Sequence, residues 1–208
     1  MRSNALARIV ALLAPSPARL TLTSIAYLRR FFVREDAALC DDALLVVLCC
    51  IYVAGKVEEL PTPPAYTADK RGVHVEGLVE RALELARSDV GVSLALEKSR
   101  RRDSVHRWTA DVVRFEMTLL QGLRFQLICF HPLRPALALA DQCGLALGKD
   151  ELYSLCVKSY VAGDWVLRYP PAVLATAVVL AAAPHASDAA KVHVDNAAAV
   201  AIAKLLVG

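Results

Sequence analysis

Ala43-Leu-Leu-Val-Val-Leu-Cys-Cys-Ile-Tyr-Val-Ala-Gly-Lys-Val-Glu-Glu59 carries no charge before Lys56. A stretch that is apolar or glycine on every side reads as a helix sunk in a core, not one lying on a surface. Asp41 and Asp42 can cap its start, and Pro61, Pro63 and Pro64 forbid its continuation. A lysine at the exit of such a helix must either reach water or find an acid.

A matching acid occurs about sixty residues on, in Val112-Val-Arg-Phe-Glu-Met-Thr-Leu-Leu-Gln-Gly-Leu-Arg-Phe125. Here Glu116 sits among the apolar residues of another helical pattern. Taken singly, Lys56 reads as a snorkelling side chain and Glu116 as part of a solvated stripe. Taken together, the two segments resemble the third and fifth helices of a cyclin box, and Ala54-Gly-Lys-Val-Glu-Glu59 resembles that family's Ala-x-Lys-x-Glu-Glu signature. The resemblance implies that Lys56 and Glu116 lie side by side and grip the backbone of a cyclin-dependent kinase's regulatory helix. An ammonium offers donors and a carboxylate acceptors, so such a pair neutralises itself yet still binds main-chain groups.

The composition agrees with a large helical core. The chain has 208 residues, 56% of them hydrophobic, and a mean hydropathy of +0.42. That excess suits a membrane protein, a buried helical core or a large partner surface. The longest charge-free apolar stretches are 43–55 and 169–184, the second bounded by Pro170, Pro171 and Pro184, and neither reaches the roughly 18–20 residues a spanning helix needs, so no membrane segment is expected. A net charge of +3 is too mild to argue for a nucleic-acid surface. The basic run Lys98-Ser-Arg-Arg-Arg102, followed by Arg107, reads as a solvated loop before it reads as a nuclear-import signal. Six cysteines show no CxxC and no metal spacing, which fits reduced thiols in cytosol or nucleus. Residues 1–34 contain six Arg and no acid, a composition shared with transit peptides, but the family resemblance uses this stretch as two structural helices.

Helical periodicity recurs throughout, and the fold class read from it is all-α. Leu6, Ile9, Val10 and Leu13 mark a first helix ended by Pro15 and Pro17, and a second begins near Thr21 or Thr23. The third is 42–59, and Val75 to Ala86 forms an amphipathic fourth. Residues 88–103 read as a mobile loop or a short irregular helix, and Ser104 caps the fifth helix of this half. Further helices are expected at about 133–146, 149–166, 171–183 and 194–207, with a short turn near 187–192. The resemblance therefore implies two tandem cyclin boxes of about five helices each, at 1–126 and 127–208, the third helix of each half buried.

Within the family the residues resemble the transcriptional branch. Tyr27-Leu-Arg-Arg-Phe-Phe32 is similar to its Tyr-x-x-Arg-Phe-Tyr, and Phe125-Gln-Leu-Ile-Cys-Phe-His-Pro-Leu-Arg-Pro135 and Leu167-Arg-Tyr-Pro-Pro171 resemble cyclins C and H. Mitotic cyclins usually carry an acid where Arg29 stands, so their ionic pair with the first helix cannot form here. Gly55 and Val57 also depart from the usual residues around the lysine.

The implied function is regulatory: a nuclear and, secondarily, cytoplasmic subunit that binds and activates a cyclin-dependent kinase of the Mediator or TFIIH type, alongside further subunits of a transcription complex. The expected contact ridge comprises Val53, Lys56, Val57 and Leu60 with Glu116, Met117 and Leu120. No catalysis, cofactor, metal, membrane or direct nucleic-acid contact is implied. The alternative is a scaffold of the same fold, of the transcription factor IIB type, binding protein and DNA. Cys129 with His131, or His193 with Asp195, would be the residues of an enzyme, but ordinary structural histidines fit the pattern better.

Overall fold

The computed structural model describes residues 2–14, 18–34, 42–59, 74–98, 104–183 and 196–207. These residues form helices and connecting turns, with no strand among them. They divide into two compact units, Met1–Ile128 and Cys129–Gly208.

The first unit contains α1 (Arg2–Leu13), α2 (Ala18–Arg34), α3 (Ala43–Val57), α4 (Val75–Leu85), α5 (Val90–Lys98) and α6 (Val105–Gly122). The uncharged run of α3 is the hub, and α1, α2, α4, α5 and α6 all pack on it. Leu44, Leu48 and Ile51 are fully enclosed, and each such side chain contributes about 1.5–3 kcal/mol by leaving water. Asp42 caps the helix as its sequence suggests, accepting at Oδ1 from Leu45 N–H at 3.0 Å. Ser104 caps α6 in the same way, through Arg107 N–H at 3.3 Å.

Two local expectations are corrected. The second helix starts at Ala18, and Thr21 and Thr23 are buried within it and do not cap it. Residues 90–98 form a regular helix because Asp89 does two jobs. Its Oδ1 accepts from Gly91 and Val92 N–H at 2.9 and 3.1 Å, and its Oδ2 lies 2.6 Å from Arg8 of α1.

The second unit contains α7 (Leu133–Gln142), α8 (Lys149–Ala162), a short α9 (Trp165–Arg168), α10 (Pro171–Ala182) and α11 (Asn196–Val207). Its buried helix is α10, which starts with Pro171 in the first turn and packs on α7, α8 and α11. The expected single helix over 149–166 is two, because the chain turns extended at Gly163. A Cβ there would meet the Trp165 ring at 3.0 Å, so any larger residue would have to push the indole aside by a few tenths of an ångström. The helix expected to reach residue 146 stops at Gln142, where Gly144 takes a φ of 65°. The turn expected near 187–192 lies outside the described residues, as do His193 and Asp195. His131 Nδ1 lies 3.2 Å from the Tyr160 hydroxyl, a contact that ties the start of this unit to α8.

No helix among the described residues is long and apolar enough to cross a membrane.

Candidate functional site

The last turn of α3 and the middle of α6 meet along one edge of the first unit. Trp108, Val112 and Leu119 are buried on α6, and Cys49 Sγ of α3 lies 3.7 Å from the Val112 carbonyl. Phe31 of α2 meets Phe115 edge to face at 6.0 Å, so three helices fix the register of this edge.

At its rim Lys56 Nζ lies 2.5 Å from Glu116 Oε1, joining residues sixty apart in the chain. The lysine side chain is 51% exposed and the glutamate 20%, so the pair is open to a partner on one side and supported by protein on the other. Lys56 also stands over the Tyr52 ring, 5.2 Å from its centroid and one helical turn back. The Glu116 hydrogen bond holds the Lys56 pKa above its ordinary value, against the opposing effect of burial. Directly below, burial pushes the Cys49 thiol up to about 12, with Glu116 adding to the rise and Lys56 opposing it.

The remaining expected ridge residues divide. Met117 is 56% exposed, while Val57 and Leu120 are half-buried. Together they leave an apolar strip beside the ion pair, lengthened by exposed Val113 one turn before Met117. Val53 is a correction: at 2% exposure it belongs to the core, because α3 is enclosed up to Gly55 and only its last turn emerges. Leu60 lies outside the described residues.

Three further residues were not assigned roles from sequence. Tyr52 looked like one more apolar position of α3. Glu58, within the signature, turns back to α2: Thr23 Oγ1 donates to its Oε1 at 2.6 Å, and Arg19 Nε lies 3.3 Å from its Oε2. Arg29 is fully buried and donates to Ser3 Oγ and Asn4 Oδ1 of α1, each at 2.8 Å. The guanidinium thus fastens α1 to α2 through the side-chain oxygens of Ser3 and Asn4, where an acid-to-arginine pair was ruled out.

No protein-family model matches the chain. It is 28% identical over 161 residues to Cyclin-C1-1 of Oryza sativa subsp. japonica, covering 77% of this chain and 52% of that protein. It is 24% identical over 160 residues to the RNA polymerase II holoenzyme cyclin-like subunit of Gibberella moniliformis, covering 77% and 42%. The chain therefore matches about half or less of the length of these curated relatives. Its fold is similar to a chain of the yeast TFIIK (Kin28/Ccl1/Tfb3) complex, with a TM-score of 0.62 and 20% identity over 99% of this chain and 83% of that one. It is also similar to a chain of the CAK complex from Chaetomium thermophilum bound to ATP-gamma-S, with a TM-score of 0.62 and 12% identity over 99% and 60%.

Proposed function

We propose that this chain, cyclin-like in both sequence and fold, is the regulatory subunit that binds and activates a cyclin-dependent protein kinase of the transcriptional class. The observation that carries this reading is the Lys56–Glu116 pair at the open edge of α3 and α6. Its donors and acceptors are set beside an apolar strip, which is the chemistry needed to hold the backbone and one face of a partner helix.

The chain performs no chemistry in this reading. It binds the kinase's mobile helix in the inward position more tightly than in the outward one, and the kinase's own residues then align for phosphoryl transfer. Val57, Met117 and Leu120 supply apolar contact, and Lys56 and Glu116 fix register. The transcription-associated relatives support a nuclear setting and a complex with further subunits.

The test is direct. Lys56→Ala or Glu116→Ala keeps the helical circular-dichroism signal but weakens binding to a cyclin-dependent kinase captured from native extract by about 2 kcal/mol or more. Wild-type binding by the double variant would remove the mechanism.

A further inference from the structure

We infer that Tyr27, Arg30 and Arg34 form a clamp on α2 that presets the chain reversal below α6, making them positioning residues for the lower end of the docking ridge. This rests on the docking reading of α3 and α6. Tyr27 and Arg30 are the Tyr and Arg of the Tyr-x-x-Arg-Phe run, for which the ion-pair site gives no use.

The three residues are spaced three and four apart, so they share one face of α2. Tyr27 Oη donates to the Leu127 carbonyl at 2.6 Å. Arg30 Nη1 donates to the carbonyls of Gln126 and Ile128, at 2.9 and 3.4 Å. Arg34 donates to the Leu123 carbonyl at 3.1 Å and to Gln126 Oε1 at 3.2 Å. Residues 126–130 are neither helix nor strand, so the carbonyls of Gln126, Leu127 and Ile128 are acceptors outside any helix or sheet ladder, while that of Leu123 accepts from Gln126 N–H at 3.1 Å and takes Arg34 as a second donor. Binding carbonyls fixes the path of the chain whatever side chains it carries.

That path needs holding. α6 ends with Arg124 N–H on the Gln121 carbonyl and Phe125 N–H on the Leu120 carbonyl, the paired bonds of a helix stop whose turning residue is usually glycine. Here Arg124 and Phe125 take φ of 51° and 55° in succession. Side chains in that region persist only where the surroundings over-determine them. The clamp is that surrounding, and through the Phe125–Leu120 bond it fixes the last turn of α6, where Leu120 faces the ridge. In contrast, α7 ends in the same pattern with Gly144 and has no need of such support.

The test uses the full chain. Amide hydrogen exchange is followed in wild type, Arg30→Ala/Arg34→Ala and the milder Tyr27→Phe, which removes a single hydroxyl. The double variant is expected to exchange residues 124–128 about tenfold faster or more, with α3 and α4 unchanged, and Tyr27→Phe to move the same amides less. It should also bind the captured kinase about tenfold more weakly at a temperature where circular dichroism shows full folding. Arg8→Ala, which breaks the Arg8–Asp89 pair elsewhere in the unit, lowers Tm without changing either readout. Unchanged exchange at 124–128 in both clamp variants would overturn the clamp. Faster exchange with wild-type affinity, while Lys56→Ala loses binding, would overturn its positioning role. Wild-type affinity in Lys56→Ala as well would strike the docking reading itself, and the positioning role with it.

Discussion

Thr23 Oγ1 donates to Glu58 Oε1 across 2.6 Å, and this bond fixes the end of α3 against α2. Arg19 reinforces it by donating to the Glu58 carbonyl at 3.0 Å. The carboxylate at position 58 therefore serves the fold, while Lys56, two residues earlier, faces outward. Glu58→Ala is expected to lower stability by about 1–3 kcal/mol, the cost of removing the charged acceptor of a part-buried hydrogen bond. Urea unfolding of Thr23→Ala, Glu58→Ala and the double variant measures the coupling, and strictly additive losses would refute it.

The Lys56–Glu116 pair should matter little to stability, because Lys56 is half in solvent; exposed pairs contribute about 0–1 kcal/mol. Its signature is the titration of Lys56. The folded pKa is raised above the ordinary 10.5 by the Glu116 hydrogen bond. The associated stability is therefore fully present below pH 10.5 and disappears as pH climbs through the folded pKa. Glu116→Gln should bring the Lys56 midpoint down, as followed by NMR of the side-chain methylene next to the amine. A midpoint that does not move would show that the carboxylate does not hold the ammonium in solution.

Tyr52 gives the lysine a second support. Tyr52→Phe retains the ring beneath the ammonium and should preserve kinase affinity, while Tyr52→Leu should lose about 0.5–1 kcal/mol of binding, the size of an exposed cation–π contact. Calorimetric titration of the two variants separates the cases. Equal losses in both would assign the effect to the hydroxyl and not the ring.

Arg29 makes the α1–α2 contact depend on one nitrogen, Nη1, which donates to both Ser3 and Asn4. Arg29→Ala removes both bonds together with a fully buried side chain, and should cost about 1.5–3 kcal/mol or more, the worth of hydrogen bonds to a charged group. Denaturant melts provide the check, with an unaltered midpoint as the contrary result.

Cys49 is protected by its position under the ion pair. With its thiol pushed up to about 12, almost none is thiolate at pH 8. Iodoacetamide should label half-exposed Cys129 and Cys143 before Cys49 and Cys156. Peptide mapping that found Cys49 alkylated first would contradict the enclosed packing of α3 on α6.

The parts legible in sequence were those with a local cause. An uncharged run has to be enclosed, a Ser or Asp before a periodic stretch caps it, and proline at the start admits a helix; hence α3, α6 and α10 were expected close to where they lie. Lys56 and Glu116 were found as charges standing alone in apolar surroundings, with a family signature around the first. Periodicity could not separate Val53 from Val57, because only the last turn of α3 leaves the core, and where a helix emerges is set by its neighbours.

By itself, then, the amino-acid order determined the helical class and the two buried helices, since each follows from burial or capping within a few residues, while the two charges were paired by the family resemblance of the segments that carry them. The tertiary structure alone decided that Glu58 serves α2, that Arg29 anchors α1, and that Tyr27, Arg30 and Arg34 hold the chain below α6. Those bonds join groups 25 to 100 residues apart, several of them backbone carbonyls that every residue carries. Such partners leave no mark in residue type or spacing, so folding has to bring them together before they can be seen.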